Sequence, residues 1–237
     1  MNENIFRRVE EKYLITEEDM NKLFERINKY IEKDKFYEST ICNIYFDSKN
    51  NDLIVNSLDK PVYKEKIRLR SYIKVPTMDS EVFLEKKDKY KGVVGKRRIK
   101  MRLKDFYNYI NNNKYDCSNQ IMKELDYYIK YYDLEPAIYI AYDRKSYKGI
   151  YDSGLRITFD TNLRSRNDDL KLELGDAGRK YFKNNYYIME IKTLGAMPLW
   201  LVNSLSELEI YPTSFSKYGK IYENGFIRKE RDYIYVR

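Results

Sequence analysis

Lys66-Ile67-Arg68-Leu69-Arg70-Ser71-Tyr72 carries a cation at every second position over its first five residues, with an aliphatic residue in each gap. Successive side chains of a β-strand point to opposite faces of the sheet. The segment therefore predicts a strand with its three cations on one face and its two aliphatic residues on the other. A single strand of this kind is typical of an ordinary sheet that has one face in water.

The same alternation recurs along the chain. The predicted strands cover residues 6–15, 40–48, 62–74, 80–89, 92–101, 137–147, 153–160 and 186–193. The polar residues that share one face of a strand are Arg8, Glu10 and Lys12; Glu85 and Lys87; Lys96 and Arg98; Tyr142 and Arg144; Arg156, Thr158 and Asp160; and Glu190 and Lys192. Because most of these strands follow one another in hairpin order, they predict an antiparallel sheet.

About five segments predict amphipathic helices, which begin near residues 16, 103, 118, 198 and 214, and the first of them continues to about Lys33. Their apolar faces must be buried, and the only large apolar surface is the other face of the strands. If the helices pack outside a sheet that curls, the charged face becomes the interior. Eight antiparallel strands are enough to close a barrel with room for a ligand. We therefore expect one α+β domain over residues 1–237, an eight-stranded antiparallel β-barrel with the helices packed outside.

The composition of the 237 residues excludes several kinds of chemistry. The chain has no histidine, so histidine-ligated metals and histidine-based catalysis are excluded, and a metal ion held by carboxylates would be Mg²⁺ or Mn²⁺. Lys and Arg outnumber Asp and Glu by 45 to 37, which favours an anionic partner. Two cysteines, Cys42 and Cys117, give no disulfide framework, and no apolar run approaches the ~18 residues of a membrane span. A soluble, cytoplasmic protein is predicted.

The cationic faces restrict the ligand. Two like charges about 4 Å apart repel by about 4 kcal/mol at an effective dielectric constant of about 20. Water would relieve this repulsion on an open sheet, whereas an enclosed lumen needs a polyanion. A chain of phosphates, held by Arg and Lys and bridged by a hard cation, is the ligand that fits best.

Nine motifs in order resemble a known family. They are Arg8-Val9-Glu10-Glu11-Lys12-Tyr13, Ile44-Tyr45-Phe46-Asp47, residues 63–72, residues 82–87, residues 92–98, Tyr142-Asp143-Arg144, residues 155–160, Met189-Glu190-Ile191-Lys192, and residues 214–219. Together they resemble the VTC-type polyphosphate polymerase domain of the triphosphate tunnel metalloenzyme (CYTH-like) superfamily. The resemblance covers about residues 6–222.

The resemblance implies a phosphotransferase that transfers the γ-phosphate of ATP to a growing polyphosphate chain in a cationic tunnel, with Mn²⁺ or Mg²⁺ as cofactor. The residues predicted to contact the transferring phosphates are Arg68, Arg70, Arg144 and Arg156. Those predicted to hold the phosphate chain are Lys12, Lys87, Lys96 and Lys217, and alternation alone adds Lys66, Arg98, Lys192 and Lys220. The predicted metal ligands are Glu190 and Glu10.

One departure from the pattern bears on the reaction. Hydrolases of the superfamily commonly begin with Glu-x-Glu-x-Lys, and here Arg8 stands at the first Glu. Losing a carboxylate weakens a two-metal site that would activate water, and this favours a transferase over a hydrolase. Glu85 and Glu190 could still bind a second metal ion, so the hydrolase is not excluded. The alternatives are a metal-dependent tripolyphosphatase or nucleoside triphosphatase and a non-catalytic polyphosphate-binding module. No nucleic-acid partner is expected, and a membrane partner would have to act in trans.

Overall fold

The computed structural model describes residues 8–91, 93–112, 115, 118–182 and 185–227. The strands are β1 (Arg8–Thr16), β2 (Ile31–Asp47), β3 (Tyr63–Ser71), β4 (Glu81–Tyr90), β5 (Val93–Arg102), β6 (Glu135–Gly149), β7 (Arg156–Arg166), β8 (Arg179–Lys180) and β9 (Tyr186–Leu194). The helices are α1 (Glu17–Ile27), α2 (Asp52–Leu58), α3 (Leu103–Asn112), α4 (Gln120–Tyr131), α5 (Leu199–Glu207) and α6 (Lys217–Tyr222), followed by a π-helical turn over Glu223–Ile227. Three positions used above lie outside the described residues: Phe6 (in the first predicted strand), Gly92 and Cys117. The side chain of Arg8 does so too.

The strands form a sheet with the order β1-β9-β7-β6-β2-β3-β4-β5, and β8 pairs with β7. The pairs β1–β9, β7–β9, β2–β3, β3–β4 and β4–β5 are antiparallel. The predicted α+β fold with a large antiparallel sheet is therefore confirmed. The predicted closure into a barrel is not, because among the described residues the order ends at β1 and β5 without a pairing between them. β5 is cation-rich and mostly exposed, a composition typical of an open sheet edge.

The chain forms two compact units. Unit 1 contains Met1–Ser39, Tyr142–Leu163 and Phe182–Phe215, and unit 2 contains Thr40–Ala141, Arg164–Tyr181 and Ser216–Arg237. No helix among the described residues is both long and apolar enough to cross a membrane.

In unit 2 the apolar side of strands β2 to β5 is covered by helices. The strand register aligns Ile44, Leu69, Leu84 and Ile99 in one row. These residues share a hydrophobic core with the buried side chains of α3 and α4. Burial of aliphatic side chains between a sheet and amphipathic helices is the main source of stability here. It fixes the opposite face of the same strands as the polar one.

Unit 1 is built in the same way. The register aligns Tyr13 of β1 with Met189 of β9, and Met189 with Phe159 of β7. These three side chains are buried in a second core together with Leu23 of α1 and Leu201 of α5. The other faces of β1, β9 and β7 therefore carry the polar residues of this unit.

The first helix is shorter than predicted. The apolar spacing predicted a helix to about Lys33, but α1 ends at Ile27 and β2 begins at Ile31. Tyr30 fits the helical spacing, yet its ring stacks on Trp200 with the two centroids 4.4 Å apart. This contact is tertiary, so the sequence around Tyr30 does not reveal it.

Helix α2 was not predicted, because seven residues are too few to show a helical period. Asp47, at the end of β2, accepts hydrogen bonds from the backbone N–H groups of Leu53 and Ile54 at 2.8 and 3.0 Å. It also accepts one from the Tyr218 hydroxyl at 3.0 Å. Asp47 thus accepts hydrogen bonds from backbone N–H groups in the first turn of α2, which have no partner within the helix.

Candidate functional site

Unit 2 brings together six of the predicted phosphate-binding cations on three neighbouring strands. We call them the cation face; its members are Lys66, Arg68 and Arg70 of β3, Lys87 of β4, and Lys96 and Arg98 of β5. Lys66, Lys87 and Lys96 are neighbours in one row of the strand register. Arg68, Glu85 and Arg98 form the next row. Alternation along each strand is therefore sufficient to place all six on the side opposite the helices.

Glu85 lies at the centre of the cation face and is 1% exposed. Its Oε2 accepts hydrogen bonds from Nε and Nη2 of Arg68 at 2.9 and 2.7 Å, and Nη1 of Arg70 lies 3.9 Å from the same oxygen. Its Oε1 lies 2.8 Å from Nζ of Lys96 and 3.3 Å from Nε of Arg98. One carboxylate therefore orients four cations. Cations lie near both of its oxygens, so Glu85 is the internal counter-charge of the cation face.

Electrostatics keep this carboxylate charged. Burial by itself raises the pKa of Glu85, but the charges of Arg68, Arg70 and Lys96 outweigh burial and lower the pKa to about 2. With Glu85 ionised, the six cations and one carboxylate still leave a formal net charge of +5. Charges of one sign held this close attract a multivalent counter-ion. The geometry therefore suits an oligoanion better than a single carboxylate or chloride.

Tyr45 of β2 extends the cation face on one side. Its hydroxyl accepts a hydrogen bond from Nη1 of Arg68 at 3.1 Å. Burial raises the pKa of Tyr45, but Arg68 and Arg70 outweigh burial and lower the pKa to about 8. The phenol of Tyr45, next to an arginine that is predicted to bind phosphate, therefore loses its proton at mildly alkaline pH.

The start of α6 is attached to the same face. Ser216, the N-cap residue of α6, accepts a hydrogen bond from Nζ of Lys66 at 2.7 Å. Lys217, the first residue of the helix, therefore lies next to a residue that contacts the cation face. Lys220, one helical turn further on, is 2.8 Å from a carboxylate oxygen of Glu223.

Unit 1 brings together the two predicted metal ligands and two of the predicted lysines. Nζ of Lys192 lies 2.7 Å from Oε1 of Glu190 and 3.7 Å from Oε2 of Glu10. Nζ of Lys12 lies 3.5 Å from Oε1 of Glu10 and donates to the carbonyl of Phe215 at 3.2 Å. The register pairs Lys12 with Glu190 and Glu10 with Lys192, so charges of opposite sign alternate here.

Arg144 and Arg156 each face a carboxylate of unit 1. Arg144 donates from Nε and Nη2 to the two oxygens of the buried Asp160 at 2.6 and 2.8 Å, and its Nη2 lies 3.8 Å from Glu190. Burial lowers the pKa of Arg144, but Asp160 outweighs burial and raises it well above its ordinary value. Nη2 of Arg156 lies 2.8 Å from Asp34. Asp160 therefore orients Arg144 in this structure.

The carboxylates of unit 1 fit a divalent cation that is shared with a substrate. Glu10 and Glu190 both approach the ammonium group of Lys192, so their oxygens already converge on one cation. No group of three His, Cys, Asp or Glu residues in the described part of the chain is arranged to hold a metal ion alone. Mg²⁺ is usually bound through one or two carboxylates together with substrate phosphates. The donor set suits this mode and not a closed protein cage.

Sequence reasoning named Glu85 and Asp160 but did not identify them as the carboxylates that orient the cations, and it did not name Asp34. Glu85, Asp34 and Asp160 are defined by the cations that they contact, and these contacts join residues of different strands that the local sequence does not relate. Tyr45 was missed for the same reason. The available signal for Glu85 was its position two residues from Lys87 on one face of β4, which places it among the cations but does not give its partners.

The fold and these charged groups define an α+β protein whose antiparallel sheet has helices on one side and a cation-rich polar face on the other. The sequence matches the model of the VTC domain over residues 7–224, so the chain belongs to the VTC domain family. The predicted membership of the VTC domain family is thereby confirmed. The sequence matches no curated protein.

Solved structures share the fold. A candidate adenylate cyclase from Bacillus halodurans aligns with a TM-score of 0.55 and 13% sequence identity, covering 93% of this chain and 99% of that one. A candidate adenylate cyclase from Vibrio parahaemolyticus aligns with a TM-score of 0.52 and 10% identity, covering 90% and 97%. At such identities the likeness concerns the fold alone.

Proposed function

We propose that this protein is an ATP-dependent polyphosphate polymerase that transfers the γ-phosphate of ATP to a growing polyphosphate chain. The observation that carries the proposal is the cation face, in which four of the six cations approach one buried carboxylate. Membership of the VTC domain family supports it. The proposal rests on the sheet face and does not depend on closure of the sheet into a tunnel.

The chemistry needs positioning and charge neutralisation more than it needs a base. A terminal phosphate oxygen of the chain attacks the γ-phosphorus of ATP, the bond to the β–γ bridging oxygen breaks, and ADP leaves while the chain gains one phosphate. The attacking oxygen is already ionised at neutral pH, which suits a protein without histidine. Phosphoryl transfer has a loose transition state, so Arg68 and Arg70 would act by stabilising charge on the transferring oxygens.

The proposal includes a divalent metal ion, Mn²⁺ or Mg²⁺, held by Glu190 with Glu10. When bound, the ion would neutralise part of the negative charge of the substrate phosphates. Lys192 contacts both carboxylates and would keep them together before substrate arrives. Arg144 belongs to the same unit as Glu190 and is oriented by Asp160. It would contact the transferring phosphates.

Incubation of the protein with ATP and Mn²⁺ tests the reaction. We expect ADP and a polyphosphate ladder, measured by gel electrophoresis and by ³¹P NMR signals of internal phosphates. Release of orthophosphate without polymer would identify the metal-dependent tripolyphosphatase or nucleoside triphosphatase instead. Binding of polyphosphate without turnover of ATP would identify a non-catalytic binding module.

The metal assignment gives a separate prediction. Glu190→Gln removes one charge from the pair and is expected to raise the Mn²⁺ concentration for half-maximal synthesis by about tenfold or more. Glu207→Gln is the matched control, because Glu207 is an exposed carboxylate of unit 1 that pairs with Arg26. The assignment is wrong if Glu190→Gln keeps the Mn²⁺ dependence of the wild type.

Two broader expectations belong to the proposal. A reducing compartment such as the cytoplasm suits Cys42, which is a buried free thiol. One functional domain over residues 1–237 predicts a single cooperative unfolding transition in calorimetry. Its partners would be ATP and polyphosphate.

A further inference from the structure

An aromatic group lies at the Arg70 end of the cation face. Phe83 of β4 pairs with Arg70 in the strand register, so both lie on the same side of the sheet. The ring of Tyr72 lies edge to face against Phe83, with the centroids 5.5 Å apart and the planes at 74°. Tyr72 is 42% exposed, so part of its ring faces water.

The guanidinium group of Arg98 stacks on this aromatic pair. Its central carbon lies 3.5 Å from the ring centroid of Phe83 and 5.7 Å from that of Tyr72. Its Nε is 3.3 Å from Oε1 of Glu85, so the carboxylate also holds the guanidinium group at its Nε. The side chain of Arg98 remains 35% exposed, which leaves part of the planar group accessible.

Tyr72 is also coupled to the cations. Burial raises the pKa of Tyr72, but Arg70 and Arg98 outweigh burial, so the pKa is lowered. The guanidinium carbon of Arg70 lies 5.8 Å from the Tyr72 ring centroid. The aromatic group and the predicted phosphate ligands are thus parts of one continuous surface within unit 2.

We infer that Tyr72, Phe83 and Arg98 form the subsite for the base of a nucleotide whose phosphates bind to the cation face. Nucleobases stack on aromatic rings and on guanidinium planes, and both are present here. Arg70 lies beside the aromatic pair, and Arg68 lies two residues away on the same face of β3, a distance of about 7 Å. A triphosphate that extends from a base at the aromatic pair can therefore reach both arginines. This inference rests on the proposed use of ATP.

Stacking also sets the expected specificity. Every base has a π-face, so a stacking platform discriminates weakly between bases of similar size. We therefore expect ATP and GTP to bind with similar affinity and both to bind more tightly than UTP.

Calorimetric titration of the full chain in EDTA, which prevents turnover, tests the subsite with ATP and inorganic tripolyphosphate as probes. Tyr72→Leu is expected to raise the Kd for ATP by about five- to tenfold and to leave the Kd for tripolyphosphate within about twofold of the wild type. Tyr72→Phe keeps the ring and is expected to lose less affinity for ATP than Tyr72→Leu does. Tyr131→Leu is the matched control, because Tyr131 is a 67% exposed tyrosine on α4 of the same unit.

The two probes separate the inference from the proposed function. An unchanged Kd for ATP in Tyr72→Leu would overturn the base subsite, and an equal loss for both probes would show that Tyr72 only positions Arg70 and Arg98. In either case tripolyphosphate binding by the wild type would leave the cation face standing as a phosphate site. If the wild type binds neither probe, the proposed function itself fails, and the subsite fails with it.

Discussion

Replacing Glu85 with glutamine is expected to lower the free energy of unfolding by about 3 kcal/mol at neutral pH. The pKa of Glu85 falls from an ordinary value of 4.5 to about 2 in the folded protein, and that difference corresponds to about 3 kcal/mol. The physical cause is the loss of the one negative charge that four cations approach. Urea denaturation followed by circular dichroism measures the change.

The same strand provides the control. Glu81 lies on the same face of β4 and forms an ion pair with Lys100 at 2.7 Å, but its side chain is 61% exposed. Exposed pairs contribute little, so Glu81→Gln is expected to change the free energy of unfolding by less than about 1 kcal/mol. Equal effects of the two substitutions would contradict the role assigned to Glu85.

Acid provides an independent measurement of the same interaction. Because the folded-state pKa of Glu85 lies below its ordinary value, the ionised carboxylate stabilises the fold fully above about pH 4.5. This contribution is lost as the pH falls from about 4.5 towards 2. The difference in unfolding free energy between wild type and Glu85→Gln should therefore shrink over this range, and a constant difference would contradict the explanation.

A polyanion should compensate for the missing carboxylate. With Glu85 replaced by glutamine, the six cations of the cation face lose their internal counter-charge. A polyanion such as tripolyphosphate that binds only the folded state would stabilise that state by mass action. We expect it to raise the melting temperature of Glu85→Gln by more than that of the wild type. The opposite order would contradict the assignment of the face as an anion site.

Much of the fold could be predicted because alternation is a local signal. Residues 66–72 showed which side chains of β3 share a face, whereas the alignment of Ile44, Leu69, Leu84 and Ile99 in one row depends on the register between strands. The end of α1 could not be predicted, because Tyr30 fits the helical spacing but lies beyond the helix and stacks on Trp200, which is distant in sequence. The residue pattern could not decide whether the sheet closes either, because polar and apolar residues alternate in the same way in open and closed sheets.

The candidate site divides along the same line. Alternation placed the cations on one side of their strands, but it did not give their partners across strands. Register placed Glu85 between Arg68 and Arg98, and the fold brings Asp34 of β2 to Arg156 of β7. Register depends on turn geometry and on the packing of the whole sheet. The sequence therefore predicted which residues carry the charge, and only the structure showed which carboxylates orient them.

Arg68→Ala is expected to lower the rate of polyphosphate synthesis by about 10²- to 10³-fold, the range for loss of one group that stabilises transition-state charge. The fold should tolerate the change, because Glu85 keeps Arg70, Lys96 and Arg98 as partners. Synthesis is measured as ADP formed and polymer length at saturating ATP and Mn²⁺. Circular dichroism before each assay separates lost activity from lost structure.

Two further variants make this prediction specific to the position. Arg68→Lys keeps the charge but loses the fork that donates to Glu85 and to Tyr45, so an intermediate rate, about tenfold below wild type, is expected. Arg97→Ala removes an arginine from β5 on the helix side of the sheet, where it pairs with Glu124. Wild-type synthesis is expected for Arg97→Ala, because Arg97 does not lie on the cation face. This result would show that a general loss of positive charge does not cause the defect of Arg68→Ala. An equal loss in Arg97→Ala, or full synthesis in Arg68→Ala, would mean that the cation face does not stabilise the transferring phosphate.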